Sequence, residues 1–268
     1  MGRLVKWLIP LLLIGFGLLW PVVFHGGAGS SGPSGPEDPV VFSDYDVDVS
    51  VDAAGDMTAV ETITAEFPGG RHGIFRYWDV ANQNNPRVRQ KPEITSVLLD
   101  GDTVPYQMLW EDGERFRVAK IGDPDSTLSY GTHVFEIRYT IPGVLDPGDI
   151  GAGKEFAEST GTPDDFPSVF FWNVIAPSWN NEIRRADITV RLPAEVGTAQ
   201  CSVGYGVGRA CEDLTVRGTT VTLSAQNLAP RTPVTLRAGV DLPTPPQNTL
   251  PGDFTWDRGL GRSRSGGP

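Results

Sequence analysis

Hydrophobic residues are concentrated in one stretch near the start of the chain, where residues 7–24 include no charged side chain. Arg3 and Lys6 precede this stretch, and the next basic residue is Arg71. Basic residues that flank a hydrophobic segment stay on the cytoplasmic side of a membrane, so the pattern predicts export of the rest of the chain. The sequence therefore predicts a protein at the extracytoplasmic face of a membrane.

The same stretch fits both a retained membrane anchor and a cleaved signal peptide. As a helix, residues 7–24 would extend about 27 Å, close to the roughly 30 Å of a hydrocarbon core. Pro10 and Pro21, however, enclose an apolar core of signal-peptide length, and small residues follow at 26–29. The sequence leaves both interpretations open, and each puts a hydrophobic helix before the folded domain.

Downstream, the pattern changes to a period of two, which is typical of strands with one buried face. Apolar and polar side chains alternate from Asp44 to Asp52, a turn follows at 53–56, and a second β-branched run occupies 57–67. This pair predicts a hairpin. Further strands are predicted at 94–99, 104–110, 114–121, 133–141, 168–175, 184–192, 198–204, 214–223 and 233–241.

Beyond the first hydrophobic stretch, no segment has the 3.6-residue period of an amphipathic helix. Roughly ten short strands without helical connections predict an all-β fold, an antiparallel β-sandwich over residues 41–242. Residues 25–40 are dominated by Gly, Ser and Pro, which predicts a linker. The Pro- and Gly-rich residues 243–268 predict a disordered tail.

Charge and cysteine content narrow the possible ligands. The formal net charge is −11, and the basic residues are scattered among the predicted strands, which argues against nucleic acid as a partner. Neither cysteine has a histidine nearby, and the sequence indicates no metal and no cofactor. Cys201 and Cys211 enclose a Gly-rich stretch and predict a structural disulfide in an oxidising exterior.

Two segments carry motifs that are more specific than a strand pattern. Residues 71–76, RHGIFR, and residues 168–192, with W-N-V and W-x-x-x-I, resemble the family named domain of unknown function 2207, predicted bacterial membrane proteins. The resemblance covers residues 44–241. It implies an export signal, an extracytoplasmic β-rich domain, transmembrane helices and a cytoplasmic low-complexity end, but no reaction. Beyond residue 241 this sequence has no apolar run of membrane-spanning length and departs from that pattern.

Two cations in the RHGIFR motif are candidate site residues. Arg76 is predicted to form a structural ion pair with Glu61, because a lone carboxylate on the strand face that holds Ile63 would be costly to bury. Arg71 is a candidate contact for an anion or a partner.

The two tryptophans of the second motif allow two interpretations. As core or rim residues, Trp172 and Trp179 would contribute a large buried area. Alternatively they would stack on a sugar ring while Asn173 and Asn180 bind its hydroxyl groups, which would make the chain a carbohydrate-binding module.

The sequence shows no nucleophile with a base beside it. A glycosidase pair could be drawn from four carboxylates of one long loop, which makes a hydrolase a further hypothesis: Glu155, Glu158, Asp164 and Asp165. The main interpretation is a non-enzymatic, membrane-associated module that binds a protein partner or an envelope component through loops at one end. Residues 7–24 would contact the membrane if they are not cleaved.

Overall fold

A computed structural model describes residues 37–250, apart from residues 83, 86, 163 and 164. Throughout this part the chain is all-β, as the hydrophobic pattern predicts. The predicted N-terminal helix and most of the predicted linker lie outside the described residues. The strands are β1 (Val41–Val51), β2 (Met57–Phe67), β3 (Gly73–Asp79), β4 (Glu93–Leu99), β5 (Asp102–Thr103), β6 (Tyr106–Glu111), β7 (Phe116–Gly122), β8 (Gly131–Ile141), β9 (Leu145–Pro147), β10 (Glu158–Ser159), β11 (Ser168–Ile175), β12 (Ile183–Arg191), β13 (Val196–Val203), β14 (Glu212–Arg217), β15 (Thr220–Leu228) and β16 (Val234–Val240).

The described strands form three sheets. An eight-stranded sheet has the order β14-β15-β12-β1-β2-β8-β4-β5, a five-stranded sheet the order β10-β13-β16-β11-β9, and a three-stranded sheet the order β3-β7-β6. Neighbouring strands are antiparallel except β1 and β12, which run parallel with Phe42 opposite Ile183. The expectation of an entirely antiparallel fold is wrong at this pair, because the long intervening chain returns to the same end before β12 begins.

The alternation of apolar and polar residues in β1 explains which face of the largest sheet packs against the core. Tyr45, Val47 and Val49 are buried, whereas Asp46 and Asp48 are exposed on the opposite face. Residues two apart along a strand share one face, so the acidic side chains stay in water while the apolar ones enter the core. The predicted hairpin of β1 and β2 is present with its turn between Val51 and Met57.

The described strands number sixteen rather than about ten, for four reasons, and the first is that the two-residue strand β5 lies between the predicted strands 94–99 and 104–110. The predicted strand 214–223 is two strands, because Gly218 adopts φ +59° in a turn between β14 and β15. The predicted loop 142–167 contains the short strands β9 and β10. The RHGIFR motif, which the sequence marks as a candidate site, also forms the start of β3.

One cluster of buried apolar side chains includes members of all three sheets, among them Phe135, Phe170 and Ile121. Residues 243–250, predicted to begin a disordered tail, hydrogen-bond to the body. Gln247 Nε2 donates to Leu145 O at 2.9 Å, and Thr249 forms a β-bridge with Val88. The rest of the predicted tail lies outside the described residues. Within the described part, no helix is long and apolar enough to cross a membrane.

Candidate functional site

A buried ion pair joins the eight-stranded and three-stranded sheets. Arg76, on β3, donates from Nε to Glu61 Oε2 at 2.8 Å and from Nη2 to Glu61 Oε1 at 2.7 Å. Glu61 lies on β2, and its side chain is 1% exposed, against 5% for Arg76. Tyr139 Oη donates to the same carboxylate at 2.7 Å. The charges are therefore paired and hydrogen-bonded, which is the condition for burying them.

Aromatic rings surround the guanidinium group of Arg76. Its carbon lies 4.7 Å from the ring centre of Trp78 and 5.3 Å from that of Trp179. Trp179 in turn donates its indole N–H to Tyr45 Oη at 3.2 Å. Cation–π contacts in a desolvated site add to the ion pair. The Glu61–Arg76 pair and its four aromatic neighbours thus form one buried cluster.

The pKa values of this cluster follow from its burial and from its two charges. Burial and the negative charge of Glu61 raise the pKa of Tyr45 well above its ordinary value, and the same causes raise the pKa of Tyr139. Burial lowers the pKa of Arg76, but the charge and hydrogen bonds of Glu61, together with Tyr45 and Tyr139, outweigh it, so the pKa is raised. Both tyrosines are therefore neutral and Arg76 is charged over the physiological range.

Backbone geometry explains the glycine of the RHGIFR motif. Gly73 has φ +153°, and a Cβ atom there would lie 1.9 Å from the carbonyl oxygen of Ile121 on β7. Only glycine allows this approach. The next residue, Ile74, is buried, and Arg76 enters the ion pair. The motif therefore specifies how β3 joins the core.

The two tryptophans of the second motif are not a paired platform. Trp179 is 2% exposed and packs edge-on against Phe42, with ring centres 4.9 Å apart. Trp172 is partly buried and stacks on Phe170. The hypothesis that Trp179 stacks on a sugar is wrong, because its ring is enclosed by protein.

The polar residues proposed beside the tryptophans also have partners within the chain. Asn173 Oδ1 accepts from Thr235 Oγ1 at 2.7 Å, and Asn180 Oδ1 accepts from an arginine Nε at 2.8 Å. Arg71 pairs with Asp38 at 2.5 Å and is 40% exposed. These contacts join surface segments to the body.

Cys201 and Cys211 form a disulfide, with Cα atoms 6.0 Å apart. Cys201 lies on β13 of the five-stranded sheet, and Cys211 immediately precedes β14 of the eight-stranded sheet. The bond therefore ties two sheets together at the base of the loop 204–210.

The carboxylates considered for hydrolysis lie at the surface. Glu155 and Asp165 are exposed, Glu158 is partly buried on β10, and Asp164 lies outside the described residues. In the part of the chain that is described, no group of three or more His, Cys, Asp or Glu side chains is arranged to hold a metal ion.

The sheet edges differ in how well they are protected. On the two larger sheets, β14 carries a bulge, β5 and β10 have two residues each, and β9 has three and ends at Pro147. Short strands, bulges and proline are the usual protection against pairing with another chain. On the three-stranded sheet, the seven-residue β3 edge is bonded at one point, where the carbonyl of Tyr77 accepts from Ser178 Oγ at 3.1 Å. The remaining edge, β6, is six residues long.

Among the described residues, no strand pairs with the free side of β6. Gly122 N donates to Pro105 O at 3.0 Å, and these two residues lie opposite each other in the register of β6 and β7. Every second residue after Pro105 therefore bonds to β7. In an antiparallel pair the groups of alternate residues point away from the partner strand. The N–H and C=O groups of Tyr106, Met108 and Trp110 therefore point outward.

The side chains along this edge are apolar and flanked by cations. Tyr106 and Trp110 are each 41% exposed. The Arg117 guanidinium carbon lies 4.8 Å from the Trp110 ring centre, and Lys91 Nζ lies 5.8 Å from it. Arg117 Nε is buried without a hydrogen-bond partner in the described structure. We call Tyr106, Met108, Trp110, Lys91 and Arg117 the β6 edge site. The sequence predicts this strand, but its pattern carries no signal that the strand lies at an edge.

Comparison with known families classifies the chain. The family model described as "Predicted membrane protein (DUF2207) N-terminal domain" matches residues 42–240. The chain belongs to this family. Membrane association is thus a property of the DUF2207 family, as the resemblance implied. No curated protein shows significant similarity to the sequence.

Solved structures resemble this DUF2207 domain only distantly. The M1 zinc metallopeptidase from Deinococcus radiodurans has 15% identity and a TM-score of 0.41, covering 78% of this chain and 44% of its own. Leukotriene A4 hydrolase from Saccharomyces cerevisiae has 9% identity and a TM-score of 0.46, covering 80% of this chain and 31% of its own. The chain spans less than half the length of either structure, and similarity at this level carries no conclusion about activity.

Proposed function

We propose that this DUF2207 domain is a non-enzymatic binding module, an antiparallel sandwich apart from its one parallel strand pair, at the extracytoplasmic face of a bacterial membrane. It captures an extended segment of a partner protein, which adds as a strand to the β6 edge site. The observation that carries the proposal is the long unprotected edge of β6, where outward backbone groups coincide with exposed aromatic side chains.

Strand addition uses both features of this edge. Backbone hydrogen bonds to an added strand supply affinity, and alternate side chains supply selectivity. The partner strand would meet the N–H and C=O groups of Tyr106, Met108 and Trp110. The exposed rings of Tyr106 and Trp110 would cover its side chains, and aromatic residues are enriched where binding energy concentrates.

The cations at the edge favour an acidic segment. Neither Lys91 nor Arg117 belongs to an ion pair among the described residues. Arg117 Nη1 donates to Leu109 O at 3.4 Å, and an acidic side chain beside Trp110 would supply a carboxylate to both cations. A sugar ring is less suited to this tryptophan, because both cations already lie over it.

Two features support an exported location: the charge pattern at the start of the sequence and the disulfide. Arg3 and Lys6 lie before the hydrophobic residues 7–24, which favours translocation of the downstream chain. A disulfide between Cys201 and Cys211 is stable in an oxidising compartment and rare in the cytosol.

A proline substitution on β6 tests the proposal. Met108→Pro removes an outward N–H donor and leaves the bonds to β7 intact, whereas Met108→Ala removes the side chain and keeps the donor. A photoreactive phenylalanine at Trp110 is introduced into the full chain in intact cells. We expect its protein adduct to disappear with Met108→Pro and to persist with Met108→Ala. An adduct of equal yield in both variants would refute strand addition.

The preference for acidic segments is tested with defined peptides on the purified full chain. Fluorescent eight-residue peptides alternate valine with glutamate or valine with lysine, and fluorescence polarisation is measured at 0.15 M salt, where the Debye length is about 8 Å. Two ion contacts of about 0.7 kcal/mol each correspond to about tenfold tighter binding of the glutamate peptide. Lys91→Gln with Arg117→Gln removes this preference, and the control Lys120→Gln, on the other face of β7, retains it. Equal binding of the two peptides would contradict the assignment.

A further inference from the structure

The strands bring several loops to one end of the domain. β1 begins there, because Phe42 lies opposite Ile183 at the start of β12, and Ile183 lies opposite the end of β15. β2 ends there as well, with Phe67 opposite Gly131 at the start of β8. The loop that follows β13 joins this end, since Gly204 N donates to Pro233 O at 2.8 Å just before β16. We call this end, formed by residues 37–40, 128–130, 204–210 and 229–233, the N-terminal end.

The N-terminal end carries the most exposed large hydrophobic side chains of the described chain. Tyr130 is 84% exposed, Tyr205 61% and Val207 43%. In the eight-stranded sheet, β8 and β14 are separated by five strand spacings, or about 24 Å. The two tyrosines are therefore well separated at the same end, as two independent points of contact would be.

The loop that presents Tyr205 and Val207 is held in shape. The Cys201–Cys211 disulfide closes its base, and Val203 and Arg209 exchange two backbone hydrogen bonds, at 2.8 and 2.9 Å. A loop that is already ordered loses little conformational freedom when its tip contacts another surface. Exposed apolar side chains on such a tip favour a contact with an apolar or interfacial environment.

The sequence limits how far this end lies from a membrane. The described chain starts at this end with residue 37, and twelve residues, 25–36, separate it from the hydrophobic residues 7–24. A fully extended chain of that length reaches at most about 40 Å. With residues 7–24 retained as a membrane anchor, this length would bound the distance between residue 37 and the bilayer.

We propose that the N-terminal end rests on the bilayer, with Tyr130, Tyr205 and Val207 in the headgroup layer. Tyrosine is enriched at this depth because its ring is apolar and its hydroxyl group is polar. The net charge of −11 disfavours anionic lipid, so the contact forms on zwitterionic phosphatidylcholine and does not weaken with salt. The proposal rests on the membrane association in the proposed function, and it adds an orientation that leaves β6 to a partner.

Photocrosslinking to lipid tests this orientation. The full chain, with a photoreactive phenylalanine at position 130, 205 or 219, is reconstituted into phosphatidylcholine vesicles and irradiated. Thr219 is the control, because it is exposed in the turn between β14 and β15, at the opposite end of these strands. We expect lipid adducts at positions 130 and 205 to exceed those at 219 about fivefold, at both low and high salt.

The outcomes separate this proposal from the proposed function. If the protein floats with the vesicles but gives equal lipid adducts at all three positions, the orientation is refuted and membrane association is retained. Chain that does not float would overturn both. Adducts at 130 and 205 that contain protein instead of lipid would also overturn the orientation, because the two tips would then face a partner.

Discussion

Removing one member of the buried ion pair should destabilise the domain strongly. Arg76→Met keeps much of the side-chain volume but deletes both hydrogen bonds to Glu61, at 2.8 and 2.7 Å. The carboxylate, 1% exposed, would then keep only hydroxyl donors such as Tyr139. Breaking a buried pair in this way costs about 3 to 5 kcal/mol, a large part of the about 5 to 15 kcal/mol that stabilises a typical domain.

Replacing both charges should restore much of this loss. In the double variant Glu61→Leu with Arg76→Met, no unpaired charge remains in the core, and such replacements are often close to neutral. The hydroxyl of Tyr139 loses its acceptor, which costs about 1 to 3 kcal/mol. We therefore expect the double variant to be more stable than Arg76→Met alone.

The free energies of unfolding are measured by urea unfolding of the full chain in a mild detergent, with tryptophan fluorescence as the signal. Trp78 and Trp179 flank the guanidinium group and report on the core directly. The slope of the free energy against urea should stay unchanged, so the midpoint reports stability. Arg138→Met is the matched control, because Arg138 pairs with Glu136 in water and its loss should leave the midpoint where it was.

Two results would refute this reasoning. An Arg76→Met variant that loses less than about 1 kcal/mol would mean that water reaches the carboxylate of Glu61. The single variant Glu61→Leu completes the comparison. If the double variant loses as much as Glu61→Leu and Arg76→Met together, the two charges are energetically independent, which the distances between them do not allow.

Three further predictions concern the disulfide and two kinds of titrating group. Replacing Cys201 and Cys211 by alanine should lower the free energy of unfolding by about 2 to 3 kcal/mol, and a reductant should reproduce that loss in the native chain while leaving the variant unchanged. Because the pKa values of Tyr45 and Tyr139 are raised in the folded state, their contribution to stability is complete below about pH 10 and falls as the pH rises further. Absorbance at 295 nm should show exposed tyrosines such as Tyr130 ionising first and these two only with unfolding; early ionisation of all six tyrosines would contradict their burial. Partial desolvation on the exposed sheet face, together with Asp187 opposite it and Asp44, raises the pKa of Asp46, so its contribution to stability is present at low pH and is lost as the pH rises through that pKa. Asp46→Asn should therefore raise the thermal midpoint modestly at pH 7 and leave it unchanged near pH 2, and a lower midpoint at pH 7 would show that the carboxylate is favourable.

Local pattern predicted the strands well and their partners poorly. The alternation of apolar and polar residues predicts β1, β2 and β8 because each strand has one face toward solvent and one face toward the core. The pairing of β1 with β12 depends on a return of the chain over a long distance, and no local signal encodes it. The short strands β5, β9 and β10 have too few residues to show a period.

The sequence predicts only part of the buried cluster. Glu61 lies on a strand face of apolar residues, so a cationic partner could be expected, and Arg76 was the nearest candidate in a specific motif. The contribution of Trp179 could not be expected, because it follows β11 and reaches Arg76 only through the packing of three sheets.

The family motifs and the proposed binding surfaces fall on different residues, and this separation has a physical reason. Gly73, Arg76 and Trp179 point into the core, where a substitution changes how the sheets join. Such residues identify the fold and say little about what it binds. A binding surface has to be exposed, and an exposed strand edge with aromatic side chains is an aggregation hazard unless something covers it. The edges of the two larger sheets are short or bulged and the β3 edge is bonded at Tyr77, whereas the described chain leaves β6 uncovered, which is why we propose a partner there.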